Sequence, residues 1–252
     1  MAQIATLEVW RGDASGGSLR PYRVPFEEGM VLLDVIHVLQ ATQAGDLAVR
    51  WNCKAGKCGS CSAEVNGKPR LMCMTRMSSL DTSVPITVAP MKTFPVLRDL
   101  VTDVSLNFEM AKRVPAFKPG PRPPDGYRMM QEDIDRPQEF HKCIECFLCQ
   151  NVCHVIRDHQ DNKAHFAGPR LFVRYAALEM HPLDTNDRRA LLKEKMGLGM
   201  CNITKCCTEV CPESIRITDN AIIPLKERVA DEFHDPLKWA WRKLTGRDSE
   251  AQ

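Results

Sequence analysis

No run of apolar residues in the chain approaches the 18 or so that a membrane-spanning helix requires. The best candidate, residues 30–39, is interrupted by Asp34 and His37. The chain also lacks an excess of one charge, because 34 Lys and Arg face 32 Asp and Glu and the net charge is +2. These absences predict a soluble or peripheral protein and argue against a nucleic-acid partner, which needs a strongly basic face.

The N-terminus has none of the features of a secretory signal peptide: no basic n-region, apolar h-region or cleavage site. This matters because the chain has 12 cysteines, which in a secreted protein would predict disulfides. In a reducing compartment the same residues predict thiolate ligands of metals. With 252 residues, the chain is also long enough to bury a core without disulfides. We therefore expect metal ligation.

The 12 cysteines fall into three sets, separated by a proline-rich segment. The sets are Cys53, Cys58, Cys61 and Cys73; Cys143, Cys146, Cys149 and Cys153; and Cys201, Cys206, Cys207 and Cys211. Residues 115–126 contain five prolines, which can continue neither a helix nor a central strand. This composition predicts a linker over residues 113–126, between a first domain over 1–112 and a second over 127–252.

The pattern of apolar residues predicts an α+β fold, with strands before the linker and helices after it. Before the linker we expect strands over 4–10, 22–26 and 86–89, a glycine-rich connection over 15–18, a hairpin at Asn66-Gly67, and helices over 30–43 and 97–112. After the linker we expect helices over 170–180, 185–195, 222–233 and 235–244. The last of these carries Trp239 and Trp241 among basic residues, which suits either a membrane surface or packing on its own domain.

The first cysteine set has the spacing C-x4-C-x2-C, followed by Cys73 on a strand that returns from the hairpin. This is the spacing of a plant-type [2Fe–2S] ferredoxin. Gly56 and Gly59 allow the loop to approach a cluster closely and to point amide donors at its sulfurs. The alternative is a structural zinc site, although such sites usually pair two C-x2-C knuckles.

The second set, C-x2-C-x2-C-x3-C, is the run in which the fourth cysteine crosses to a second cluster. The third set matches the same template with Cys201, Cys207 and Cys211, but Thr204 stands where the middle ligand belongs. This register predicts a [4Fe–4S] cluster and a [3Fe–4S] cluster that share the two runs. The [4Fe–4S] ligands are Cys143, Cys146, Cys149 and Cys211, and the [3Fe–4S] ligands are Cys153, Cys201 and Cys207.

Cys206 is one residue out of register with this template. It could replace Cys207 as a ligand, but both gaps would then contain four residues and match neither half of the template. A free buried thiol is the expectation for Cys206.

With these motifs the chain resembles the iron–sulfur subunits of succinate dehydrogenase and fumarate reductase. The resemblance covers nearly the whole chain and rests on the three cysteine sets, on the segment over residues 94–103, and on Gly168-Pro169 with the helix that follows. It implies a plant-type ferredoxin (β-grasp) domain followed by a mainly α-helical domain like a bacterial ferredoxin. It also implies that no residue of this chain performs the dicarboxylate chemistry.

The resemblance further implies a respiratory complex. A flavoprotein subunit with FAD would oxidise succinate, and the [2Fe–2S], [4Fe–4S] and [3Fe–4S] clusters would pass electrons singly to quinone beside membrane-anchor subunits. The chain would be peripheral, at the cytoplasmic face of the inner (plasma) membrane. Fumarate reduction by the same complex, another flavoprotein partner, and a zinc-stabilised interaction module are the alternatives.

At the quinone end the chain departs from better-known members of the family. No proline follows Cys153 and no tryptophan lies just beyond it, and Asn202 stands where several relatives have histidine. The candidates for quinone contact are therefore His154, Arg157, His159 and Asn202. The reading favoured for each of them is an ordinary surface or interface residue.

Overall fold

The computed structural model describes residues 3–245, and the first part of this range is built around a sheet. Its strands are β1 Gln3–Asp13, β2 Gly16–Phe26, β3 Ser62–Val65, β4 Lys68–Leu71, β5 Ile86–Ala89, β6 Val96–Arg98 and β7 Val101–Thr102. Within residues 3–245 these strands form one sheet in the order β4-β3-β5-β1-β6-β7, and β2 pairs with β1. The β1–β5 pair is parallel and the other pairs are antiparallel.

Helices dominate the second part, which makes the fold α+β as predicted. The helices are α1 Leu32–Thr42, α2 Ser105–Ala111, α3 Gln131–Gln138, α4 Leu148–Val152, α5 His154–Arg157, α6 Pro169–Glu179, α7 Arg189–Glu194, α8 Cys206–Glu209, α9 Ile223–Phe233 and α10 Pro236–Thr245. Short 3₁₀ turns cover Met72–Met74, Met77–Ser79, Glu139–Lys142, Gln160–Ala164 and Leu198–Met200, and a π-helical turn covers Ile217–Ile222.

Strand β1 shows how the sequence pattern builds the first core. Ala5, Leu7 and Val9 alternate with more exposed residues and are fully buried. Helix α1 buries five apolar residues in the same core. The Asn66-Gly67 turn joins β3 to β4, and both residues have positive φ, as a two-residue hairpin requires.

Residues 97–112 do not form the single helix that the sequence predicted. They contain most of β6, then β7 and α2. Asp99 lies between the two strands with φ +47°, and its buried carboxylate accepts hydrogen bonds from Arg11 Nε at 3.0 Å and from the Ala48 amide at 2.9 Å. These bonds hold the turn against the sheet, which a helical pattern of apolar residues does not reveal.

Two further boundaries differ from the prediction. Strand β2 begins at Gly16 rather than Tyr22, because Gly16 and Gly17 pair with the end of β1 and do not form a loop. Helix α7 begins at Arg189 rather than Thr185, because residues 184–188 are held by hydrogen bonds to the linker. The tail helix is α10, and the side chain of Trp239 lies outside the described residues.

The two parts of the fold share their cores. Cys146, Phe147 and Leu148 from the second part are buried in the core of the sheet. In return, Met110 of α2 packs in the helical core with residues such as Phe172. Because each part completes the core of the other, their relative placement is fixed by packing.

The proline-rich segment also packs against the helical part. Arg188 is fully buried and donates to the carbonyl oxygens of Pro115 at 3.1 Å and Ala116 at 2.9 Å. Its guanidinium pairs with Asp184 at 2.8 Å and with Glu179 at 3.4 Å. The linker is therefore bound along its first residues by a buried charge.

Candidate metal centres

The first cysteine set is assembled by the β3–β4 hairpin and the loop before it. Cys61 leads into β3, and Cys73 follows β4 in a 3₁₀ turn. The Cys73 amide donates to Cys61 Sγ at 3.4 Å. Cys53 is exposed, Cys58 is half-buried, and the other two are buried. The hairpin thus brings the distant fourth cysteine next to the loop, as predicted.

The loop after Cys53 is wrapped around that residue's sulfur. The amides of Ala55 and Lys57 donate to Cys53 Sγ at 3.4 and 3.3 Å. Lys54 and Gly56 have positive φ, which tightens the loop. Amides that point at a sulfur stabilise a thiolate and tune a bound metal.

Two thiols of this set, those of Cys58 and Cys61, differ in pKa because their surroundings differ. Burial opposes ionisation of Cys58, but hydrogen bonds from Ser60 and Cys53 outweigh it and lower its pKa to about 7. Burial raises the pKa of Cys61 to about 12. The buried Cys61 thiol therefore ionises only when a nearby positive charge, such as iron, replaces the solvation that burial removes.

Cys211 lies with the first three cysteines of the second set, as the crossed register predicts. These four thiols line one cavity, and its remaining lining is largely apolar. The apolar residues that line it are Ile144, Phe147, Val173, Pro212, Ile215 and Ile217. Burial, together with the neighbouring Cys143 and Cys211, raises the pKa of Cys146 to about 12. Burial also raises the pKa of Cys143 and of Cys149, so these three thiols stay protonated unless a metal core is bound.

Cys153 lies instead with cysteines of the third set. Burial, together with the nearby thiols of Cys206, Cys207 and Cys201, raises its pKa to about 12. Cys207 is buried and its Sγ lies 3.4 Å from Thr218 Oγ1. The structure thus groups the two runs by exchange of their last cysteines.

The backbone repeats between the two runs with an offset of 58 residues. Glu145 and Phe147 have φ of +55° and +60°, and Ile203 and Lys205 have φ of +62° and +63°. A 3₁₀ turn precedes Cys143 and Cys201 alike, and a short helix follows Phe147 and Lys205. This correspondence places Thr204 at the position of Cys146, and Cys207 at that of Cys149.

Cys206 differs from the expectation of a buried thiol, because it is half-buried. Its Sγ lies 3.3 Å from Oγ1 of Thr204, which is exposed. Cys206 is the first residue of α8, and the next residue, Cys207, is the buried one.

Among the described residues, no three Cys, His, Asp or Glu side chains are placed to hold a single metal ion. An iron–sulfur core differs from a single-ion site because it distributes its thiolates over several iron atoms.

Charged residues around the second set were not identified from the sequence. Arg170 forms an ion pair with Glu145 and lines the cavity near Cys143. Lys57 of the first loop pairs with Glu213 at 3.0 Å, two residues after Cys211. Neither pair has a signal in the sequence, because each joins segments that are far apart along the chain.

The four candidates for quinone contact lie in different environments. His154 and Asn202 directly follow Cys153 and Cys201, whose thiols are neighbours, and Asn202 is exposed. His159 is also exposed. Arg157 instead faces the sheet, where its guanidinium pairs with Glu64 at 2.9 Å.

The chain matches known proteins over both parts. A model of a 2Fe-2S iron-sulfur cluster binding domain matches residues 6–109, and a model of a 4Fe-4S dicluster domain matches residues 139–215. The chain is 32% identical over 211 residues to the fumarate reductase iron-sulfur subunit of Mycobacterium tuberculosis, with 80% of this chain and 82% of the relative covered. The chain belongs to the iron–sulfur subunits of succinate dehydrogenase and fumarate reductase.

Other relatives agree with this membership. The succinate dehydrogenase iron-sulfur subunit of Bacillus subtilis is 33% identical over 212 residues, with 79% of this chain and 77% of the relative covered. A chain of the solved Mycobacterium smegmatis Sdh1 complex in the apo form superposes with a TM-score of 0.92 and 64% identity, with 94% of this chain and 100% of that chain covered. The present chain is therefore an electron-transfer iron–sulfur subunit of this oxidoreductase family.

The helices of this iron–sulfur subunit are short. Within residues 3–245, none combines the length and the apolar character that a transmembrane span needs.

Proposed function

We propose that this subunit relays electrons from the FAD of a flavoprotein subunit to quinone at a membrane anchor, within a succinate dehydrogenase. The exchange of Cys153 and Cys211 between the two runs, with Thr204 at the missing ligand position, carries this proposal. Two sites that share their cysteine runs, together with the separate [2Fe–2S] site, suit electron transfer through three clusters in sequence. When bound, the clusters convert the two-electron chemistry of a flavin into single-electron steps.

We assign the ligands by the grouping of the thiols. The [2Fe–2S] cluster takes Cys53, Cys58, Cys61 and Cys73; the [4Fe–4S] cluster takes Cys143, Cys146, Cys149 and Cys211; and the [3Fe–4S] cluster takes Cys153, Cys201 and Cys207. Backbone amides donate to Cys53 Sγ, and the hydroxyl group of Thr218 lies beside Cys207 Sγ. Thr204 leaves the third site one thiolate short, which supports a cluster with three irons.

We further propose that the sheet part is a β-grasp domain of the plant-type ferredoxin kind and that the helical part is like a bacterial ferredoxin. The parallel β1–β5 pair beside the β1–β2 hairpin, with α1 packed on the sheet, supports the first. The repeated backbone of the two cysteine runs supports the second. The boundaries 1–112, 113–126 and 127–252 remain our proposal.

The relatives favour succinate oxidation as the physiological direction. The relative at 64% identity is a chain of the Mycobacterium smegmatis Sdh1 complex, whereas the fumarate reductase and succinate dehydrogenase subunits are 32% and 33% identical. Steady-state rates of succinate oxidation and fumarate reduction with a defined quinone test this direction. Faster fumarate reduction under matched potentials would favour the reverse assignment.

The partners we propose are a flavoprotein subunit with FAD and membrane-anchor subunits at the cytoplasmic face of the inner membrane. Trp51 and Met74 are exposed beside the first cysteine set, where a partner's cofactor would approach. Leu237 and Leu244 are exposed on α10 and could meet an anchor or lipid. Copurification of a flavin-containing chain with a membrane fraction tests both partners, and a different copurifying flavoprotein would redirect the assignment.

A further inference from the structure

The loop of the first cysteine set touches the second set at Gly59. A Cβ added to Gly59 would lie 2.5 Å from Cys146 Cα and 2.9 Å from both Cys146 Cβ and Cys146 N. Real Cβ atoms do not approach so closely, so the backbone of one ligand loop packs directly on a ligand of the next site. Gly59 and Gly67 both have positive φ, +68° and +73°. Only Gly59 is also closely packed, because a Cβ at Gly67 would meet open space.

Ser62 forms a second link at the same place. Its Oγ lies 2.8 Å from the carbonyl oxygen of Gly59 and 2.9 Å from that of Cys146. A serine hydroxyl has one proton to donate, so the two carbonyl oxygens share a single donor. Ser62 is only 7% exposed. Water therefore has little access to take over this donor when the hydroxyl is removed.

The surroundings reinforce the contact from both sides. Cys146 is buried in the core of the sheet rather than in the helical core. The Lys57–Glu213 pair joins the same loop to the segment after Cys211. This pair contributes little free energy because Lys57 is largely exposed, but it tethers the two ligand loops on the solvent side.

We propose that Gly59 and Ser62 are positioning residues that fix the spacing between the first and second cysteine sites. The inference rests on the proposed function, because it requires a cluster in each site. Gly59 allows the backbone of the first ligand loop to contact Cys146 directly. The Ser62 hydroxyl holds this contact in place because it lies between the carbonyl oxygens of Gly59 and Cys146. Coupling between two redox centres falls steeply with their separation, so a small displacement at this contact has a large effect.

Electron paramagnetic resonance on the purified complex tests this role, with the spin–spin interaction between the reduced [2Fe–2S] and [4Fe–4S] clusters as the readout. We expect Gly59→Ala and Ser62→Ala to weaken this interaction measurably while iron content stays at the wild-type level. Gly67→Ala is the matched control for the glycine, since it meets the same backbone strain in open space. Ser79→Ala is the control for loss of a serine hydroxyl, because the Ser79 hydroxyl donates to the Arg76 carbonyl oxygen within the sheet part alone.

The outcomes separate the two proposals. An unchanged spin–spin interaction in Ser62→Ala and Gly59→Ala, with clusters assembled, would overturn the positioning role and leave the relay intact. Wild-type complex without iron and acid-labile sulfide would overturn the proposed function itself. If Gly59→Ala fails to assemble its clusters, Ser62→Ala decides, because it removes one atom and introduces no clash.

Discussion

Among single residues, Thr204 carries the most information about the chemistry of the third site. It occupies the position that Cys146 occupies in the other run, so a thiolate there would supply the missing ligand. We expect Thr204→Cys to remove the [3Fe–4S] resonance of the oxidised complex as a fourth iron is retained. Thr204→Ser is the matched control, because it has the size of cysteine without the sulfur. An unchanged oxidised resonance in Thr204→Cys would count against the register of the two runs.

His37 links the stability of the fold to pH. Burial and the charge of Lys54 lower its pKa from the ordinary value of 6.5, and its ring packs on Trp51 at 4.7 Å. Because the unfolded state then binds the proton more readily, stability falls as the pH drops below about 6.5. We expect His37→Gln to flatten this loss in thermal midpoints measured between about pH 7 and pH 5. A loss of stability toward pH 5 that is as steep in His37→Gln as in the wild-type chain would contradict this role.

Elements β3 and α5 are joined by an ion pair between the buried Glu64 and the half-buried Arg157. Arg157 pairs with Glu64, and Asn151 Nδ2 also donates to Glu64 Oε1 at 2.9 Å. Arg157→Met leaves the Glu64 carboxylate buried without its cation, which costs about 3 kcal/mol of unfolding free energy. Adding Glu64→Gln removes that unpaired charge and should restore part of the loss in denaturant unfolding. A double variant less stable than Arg157→Met would show that the pair does not act as a unit.

The linker depends on one buried arginine of the helical part. Arg188→Met leaves Asp184 and Glu179 buried without a cation and frees the carbonyl oxygens of the linker. We expect a loss of about 3–5 kcal/mol, together with faster hydrogen exchange over residues 113–126. Arg189→Met is the neighbouring control, since Arg189 is about 30% exposed while pairing with Asp187 and Glu232, and it should cost about 1 kcal/mol or less. Equal losses in the two variants would contradict the anchoring role.

Over the whole molecule, the sequence predicted what depends on local spacing. The Asn66-Gly67 hairpin, helix α6 and the α+β class follow from turn residues and periodicity, and the structure has all three. The crossed grouping of Cys153 and Cys211 also follows from spacing, because a known template fixes which thiol faces which site.

What the sequence did not predict depends on contacts between distant residues. The turn at Asp99 is held by Arg11 and Ala48, so residues 97–112 were misread as one helix. Ser62 has no motif, because its partner Cys146 lies 84 residues away. Interfaces of this kind become visible only when both parts of the fold are placed together.

We propose that eleven cysteines bind three clusters, with Thr204 at the vacant ligand position. The most direct test is electron paramagnetic resonance on the purified complex in oxidised and reduced states, with metal and acid-labile sulfide analysis of the same sample. We predict a [3Fe–4S] resonance in the oxidised state and a [2Fe–2S] resonance on reduction. Zinc in place of iron, without acid-labile sulfide or either resonance, would contradict the account.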